Sequence, residues 1–484
     1  VSDNAVHAGK LHTSLRRPQL TMLAIGGTMG AGLFIGSGAL ITQTGPLAVA
    51  TYAVTGVLIM LVMRMLGEMA VANPRTGSFT DYARDALGNW AGFSSAWLYW
   101  YYQMVVVGFE AVVGAQLLQR WIHGVPNWIM SVILLLILTV VNLVSVGNFG
   151  RFEYWFSGIK VAAVTLFVVL ATCFVLGLWP GATIDFSNLT DHGGLAPNGV
   201  LPMFSGVVVV IFSMVGAEVV TVAAAESAEP GLAIKRAVNA VVYRVLFFFV
   251  ASSFLIVTIV PWNSIPAGTS PFLNVLQVLN IPGVADILNL VILVAVLSCL
   301  NVSLYSSSRM LFTLAANGDC PAWMSRTNHR GVPVLGVLSC TVIGYACIAV
   351  GYFFPDTVFL FLINASGAMI LFVYLMICVS QIVLRRRNEA NNGARFQFAM
   401  WCFPYLSIAV TAAIVLILLS MLRDATSRVS LIQGLVVWAI VLIAFAAKTL
   451  RRRYSAADDG SVSDAAADDD LSAAPSVPHP SNSA

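Results

Sequence analysis

Charge is what this sequence has least of. Only 10% of its 484 residues are Asp, Glu, Lys or Arg, against about a quarter in a soluble domain, and the deficit excludes an ordinary globular protein. Extended hydrophilic sequence is confined to residues 1–19 and to the tail 454–484, which leaves no room for a soluble catalytic domain. The six histidines (His7, His12, His123, His192, His329, His479) lie in predicted loops or tails, and HExxH, P-loop and GxSxG signatures are absent. No enzyme, nucleotide site, metal or cofactor is therefore expected, and any uphill work must draw on an ion gradient. The seven cysteines fall mostly within apolar runs and form no CxxC pair, which argues against a zinc site and a disulfide scaffold. Residues 1–18 lack an apolar core followed by a small-residue cleavage site, so a removable signal peptide is not expected.

What the chain has in excess is apolar length. Hydrophobic residues make up 58% of it, and a hydrocarbon core about 30 Å thick takes roughly 20 of them per helical span. Apolar stretches fall at roughly 20–42, 47–66, 90–118, 126–146, 154–178, 203–224, 241–261, 284–314, 333–353, 357–384, 402–422 and 429–448. They run about 20 residues without strict alternation, and backbone polar groups in lipid must be satisfied within the segment, so they predict helices and not barrel strands. The expected fold is an all-α integral membrane protein of about twelve transmembrane helices. Three regions follow: a cytoplasmic N-terminal segment 1–19, a transport domain 20–453, and an acidic disordered cytoplasmic tail 454–484.

On this parse 21 of the 25 Lys and Arg residues fall on one side of the membrane and only Arg120, Arg423 and Arg428 on the other, with Lys160 inside a span. Positive charge marks the cytoplasmic side, so both termini are expected there. The net charge of +3 thus reflects topology and not a nucleic-acid partner. The tail carries Asp458, Asp459, Asp464, Asp468, Asp469 and Asp470 among Ala, Ser and Pro, a composition with too little apolar surface for a packed core.

Two spans are interrupted. Residues 25–38, IGGTMGAGLFIGSG, hold six glycines in fourteen positions, more than one close-packing face needs. A glycine-rich break in mid-membrane frees backbone N–H groups that can hold a carboxylate. Five spans later, residues 212–218, FSMVGAE, form a second small, polar break. Interrupted spans at corresponding positions in two halves point to a midplane site in an inverted-repeat transporter. Spans 1–5 and 6–10 would be the repeats, with two helices added.

Ionisable groups within spans are costly and are functional candidates by default. Lys160 lies in the fifth span with no acid at i±3 or i±4. Holding an amine away from water disfavours its charged form, which suits a proton carrier; the alternative is a lysine snorkelling to the interface. Glu110, mid-way along the third span, is a second proton carrier, an acid facing a substrate amine, or a structural hydrogen-bond partner. Glu218, just beyond the sixth-span break, would stabilise that break or meet a cation. Glu226 and Glu229 lie at the cytoplasmic end of the same helix, and Glu68 follows the second span as part of a gate or fold contact. Ser298, Cys299 and Asn301 put polar groups into the eighth span, for substrate or for interhelical bonding.

At these residues the chain resembles the amino acid transporter family of the amino acid–polyamine–organocation superfamily. The segments that carry the likeness are 25–38, 67–79 (GEMAVANPRTGSF), 212–227 (FSMVGAEVVTVAAAES) with Pro230, and 298–301 (SCLN) running into 308–311 (SRML). Within the family, 63–66 (MRML), 97–100 (WLYW), 142–146 (NLVSV) and 152–155 (FEYW) are similar to bacterial γ-aminobutyrate (GABA) permeases. The resemblance implies two inverted five-helix repeats, with helices 1 and 6 broken at mid-membrane, and import of a small zwitterionic amino acid with a proton across a bacterial plasma membrane. It implies a carboxylate site at Gly30, Ala31 and Gly32, completed by Ser213, Met214, Val215 and Gly216. Lys160 matches the fifth-span lysine that stands in place of a sodium ion in proton-coupled relatives. The chain departs at Ser213-Met214-Val215, where those permeases carry a second aromatic, and at Thr28-Met29. Both departures bear on substrate choice, so another neutral amino acid, proline or an aromatic one stays open. An exchanger of the same fold and a membrane sensor are the remaining alternatives.

Overall fold

In the computed structural model, residues 17–26, 29–144, 146–224, 229–266, 269–353, 355–391 and 398–471 are described, and they contain helices and no strand. Ten stretches are long and apolar enough to cross a membrane by length and composition. The first of them, Ala31–Ala72, joins parts of two predicted spans, and Tyr405–Ser420 is a shorter apolar helix. The predicted order of twelve is kept. Span 1 is Arg17–Gly26, Ala31–Phe34 and Gly36–Thr44; span 2 is Ala48–Ala72; span 3 is Asn89–Leu118; span 4 is Asn127–Val144; span 5 is Val146–Val175; span 6 is Leu201–Met214 with Val219–Ala224. Span 7 runs through Pro230–Tyr243, the π-helical Arg244–Ala251 and Ser252–Ile259; span 8 is Val284–Ala316, span 9 Val334–Phe353, span 10 Pro355–Ala390, span 11 Tyr405–Ser420 and span 12 Ala425–Leu471. A short amphipathic helix, Phe79–Leu87, lies between spans 2 and 3.

Spans 3 and 8 pack against each other over much of their length and form the centre, with spans 4, 5, 9 and 10 packed around them. Span 3 is buried for most of its length, whereas spans 4, 5 and 12 turn Leu136, Ile137, Val140, Leu166, Val169, Ile440 and Ile443 outward. An outward apolar face suits lipid as solvent, where an exposed leucine carries no penalty. From Gly206 to Ala224 the described part of span 6 is buried, as a helix enclosed by protein, while Leu201 and Phe204 in its first turn are exposed.

Three boundaries differ from the sequence reading in ways that matter. Span 5 begins at Val146, so Lys160 stands at the middle of a thirty-residue helix and not near its end. Span 7 begins at Pro230 and not at 241, so Arg244, one of the 21 charges assigned to the cytoplasmic side, stands about four turns inside the helix and is completely buried. The last helix reaches Leu471, past the predicted start of the tail at 454, because alanines between the aspartates favour helix. Residues 472–484 lie outside the described residues.

Candidate functional site at the two helix breaks

The first break falls where predicted. Helix ends at Gly26, resumes over Ala31–Phe34 with Gly30 extended before it, and continues from Gly36. Gly32 meets span 6 so closely that a Cβ there would lie 2.7 Å from the Cα of Ser213. The second break leaves Met214 as the last residue of one half-helix, Val215 extended, and Gly216 at φ +110°, a conformation that side chains rarely adopt.

A broken helix frees carbonyls at one end and amides at the other, and both sets find partners here. The Arg244 Nη2 donates to the Met214 carbonyl at 2.9 Å, placing a cation at the negative end of the half-helix. Glu218 Oε2 accepts from the Gly216 N–H at 3.0 Å and from the Tyr374 hydroxyl at 3.3 Å, while Oε1 accepts from the Tyr99 hydroxyl at 3.2 Å. Glu218 therefore braces the break from inside it. Arg244, Tyr99 and Tyr374 were not foreseen.

Between the breaks is a narrow cavity lined by Gly30 and Gly32 of span 1, Ser213, Val215 and Gly216 of span 6, Glu110 with Tyr102 and Gln103 of span 3, and Cys299 with Ser303 of span 8. It leaves ≈ 20 Å³ for the centre of a water-sized sphere, room for about one water. Both oxygens of Glu110 face the Ala31 N–H, at 3.2 and 3.3 Å. Span 3 delivers this face by periodicity: Tyr102, Gln103, Val106 and Glu110 recur at helical spacing. Gln103 fixes the wall by donating to the Tyr99 hydroxyl at 2.8 Å and to Ser306 Oγ at 3.0 Å. Met214 is buried behind the cavity and contributes its carbonyl to Arg244.

Ser298 and Asn301 do not line this cavity, contrary to the sequence reading. At about 100° per residue, Cys299 and Ser303 share one face of span 8 while Ser298 and Asn301 share the next. That second face belongs to a separate buried cluster. Lys160 Nζ donates to Ser298 Oγ at 2.8 Å, and Ser298 Oγ donates to Glu153 Oε1 at 2.6 Å. Ser157 Oγ also donates to Glu153 Oε1, at 2.7 Å, and Lys160 and Glu153 stand 3.9 Å apart with 0% and 1% exposure. Asn142 of span 4 donates to Asn301 Oδ1 at 2.8 Å. Lys160 is thus no snorkelling residue. Its partner Glu153 lies seven residues away, two turns along the same helix face and beyond the i±3 and i±4 positions. The cluster abuts the first break, since a Cβ on Gly26 would lie 2.8 Å from Ser157 Cβ.

The remaining predicted residues lie apart. Glu68 is buried on the same side as the amphipathic helix, where Gln381 and Arg385 of span 10 donate to it at 3.0 Å each and the Met400 N–H also donates. It ties span 2 to span 10 and to the stretch before span 11, as a fold contact. Glu226 lies outside the described residues.

An all-helical membrane bundle with two breaks enclosing an amide-lined cavity has the form of a transporter, and comparison with known proteins agrees. The family model "Amino acid permease" matches residues 19–455. The γ-aminobutyric acid permease of Bacillus subtilis (strain 168) is 44% identical over 436 residues, covering 90% of this chain and 93% of that protein. The γ-aminobutyric acid permease of Escherichia coli (strain K12) is 41% identical over 436 residues, covering 89% and 93%. The aromatic amino acid transport protein AroP of Corynebacterium glutamicum is 38% identical over 441 residues, covering 90% and 95%. Among solved structures, Mhp1, a nucleobase-cation-symport-1 family transporter in a closed conformation with bromovinylhydantoin bound, superposes with a TM-score of 0.54 at 16% identity, covering 92% of this chain and 96% of that one. That likeness concerns the fold alone. With the match spanning the whole helical domain, this multi-pass membrane protein is a transporter and not an enzyme: it belongs to the amino acid permease family.

Proposed function

We propose that the protein imports 4-aminobutyrate (GABA) together with a proton across the plasma membrane of a bacterium, with both termini in the cytoplasm. The substrate half of this reading is carried by the GABA permeases at 41–44% identity along nearly the whole chain. The proton half is carried by the buried Lys160–Ser298–Glu153 chain, which joins spans 5 and 8 beside the first break.

The substrate carboxylate would be received by the backbone of Gly30, Ala31 and Gly32 and by the sixth-span break from Ser213 to Gly216. Amides freed from helical bonding offer a carboxylate donors that need no reorganisation. The proton would be carried by Lys160, with Glu153 as the group that shares or receives it through Ser298. A change of charge in this cluster acts on Ser157, and Ser157 touches Gly26, where the first half-helix ends. Proton loading is thereby linked to the approach of span 1 toward spans 5 and 8. Rocking of one helix group around the broken spans would then expose the cavity to each side in turn. With room for about one water, the cavity must widen before substrate enters.

Competition tests the substrate. Uptake of labelled GABA into membrane vesicles is expected to fall to half or below with a tenfold excess of unlabelled GABA, and to change little with L-proline or L-phenylalanine. Strong inhibition by phenylalanine instead would favour an aromatic amino acid carrier. That second reading has the AroP relative at 38% identity and the smaller side chains at Ser213-Met214-Val215 on its side.

A further inference from the structure

We propose that Glu110 is a built-in occupant of the carboxylate position: between transport events it holds the Ala31 amide that a substrate's carboxylate must take, and an incoming amino acid displaces it. The inference rests on the reading that span 1 receives the substrate carboxylate, and it changes what Glu110 is for. An acid that met the substrate's amino group would point away from backbone amides, which repel a cation. Glu110 does the opposite. Both its oxygens face one amide at 3.2 and 3.3 Å, with the side chain 1% exposed. Among the described residues no cation lies within ion-pair distance of it, Lys160 being engaged with Ser298 and Glu153.

The fit also excludes simultaneous occupancy. A Cβ on Gly30 would lie 2.3 Å from Glu110 Oε1 and 2.8 Å from Cys299 Cβ, so the carboxylate fills the space beside the first break. The cavity beyond it admits about one water. Substrate and Glu110 are therefore competitors for a single position. An amine lacking a carboxylate has nothing with which to displace the side chain, so the occupant selects for amino acids over simple amines.

The two roles predict opposite signs, and equilibrium binding of labelled GABA to the purified full-length protein, without any gradient, separates them. In Glu110→Ala the dissociation constant is expected to fall about tenfold, because the Glu110–Ala31 hydrogen bond no longer has to be broken. In Glu110→Gln it is expected to fall by less, since the amide oxygen still accepts from Ala31. Unchanged or weaker binding in both variants, with thermal unfolding midpoints near that of the unmodified protein, overturns the proposal. If Glu110→Ala does not fold, Glu110→Gln decides alone: tighter binding supports the proposal and equal or weaker binding overturns it. Should the unmodified protein bind L-proline or L-phenylalanine in place of GABA, the substrate reading fails on its own, and the same comparison with that amino acid still decides the role of Glu110.

Discussion

Lys160→Met is expected to abolish the proton-driven part of uptake, lowering gradient-stimulated accumulation about a hundredfold, while exchange of labelled for unlabelled substrate across the membrane survives. The asymmetry follows from geometry. Lys160 bonds Ser298 and stands beside Glu153, and none of the three lines the cavity between the breaks. On the proposed reading its loss removes the proton carrier and leaves the carboxylate position intact. It also strands Glu153 without its cation in a wholly buried place, and breaking a buried pair from one side costs about 3–5 kcal/mol. Adding Glu153→Gln to Lys160→Met is therefore expected to recover much of the lost thermal stability and none of the coupling. Reconstituted transport with both assays, beside unfolding curves in detergent, checks all three statements. Loss of exchange in a well-folded Lys160→Met protein would mean that the lysine acts on the substrate and not on the proton.

Gly32→Ala is expected to lower transport of every kind at least tenfold. The added methyl would lie 2.7 Å from Ser213 Cα and 2.9 Å from Ser213 Cβ. The obstacle is the backbone of span 6 and cannot rotate aside, so spans 1 and 6 must separate by a few tenths of an ångström or more. Overpacking of this kind costs about 1–3 kcal/mol. Here the strain falls on the contact between the two broken helices that frame the site. Gly36→Ala serves as the control on the same span, since a methyl there meets nothing nearer than the Ala31 carbonyl at 4.0 Å. It is expected to transport as the unmodified protein does. Equal activity in the two variants would show that spans 1 and 6 do not need their close approach.

The spans and both breaks are legible in the sequence because lipid makes simple demands: apolar length for each crossing, and glycine or small polar residues where the helix must stop. The site was legible only in part, for reasons of periodicity. Ser298, Cys299 and Asn301 read as one polar group, yet consecutive residues of a helix point about 100° apart, and Ser298 and Asn301 turn to the lysine cluster while Cys299 turns to the cavity. Glu153 stayed hidden because the fifth span had been started at 154, one residue beyond it, although an i, i+4, i+7 reading over Glu153, Ser157 and Lys160 would have brought it to one face with the lysine. Arg244 was counted with the cytoplasmic cations although it lies within the predicted span 241–261, because it falls in the first turn of that stretch. Its place inside the bundle depends on the freed Met214 carbonyl, a tertiary demand that no window along the chain contains.

The central claim is that an inward proton gradient drives net accumulation of GABA. Its most direct test is the uptake of labelled GABA into proteoliposomes that contain no amino acid, with an inward proton gradient imposed or collapsed. The account predicts accumulation several-fold above the equilibrated level under the gradient and none without it. Uptake that ignores the gradient and appears only when the lumen is preloaded with amino acid would contradict it, and would make the protein an exchanger.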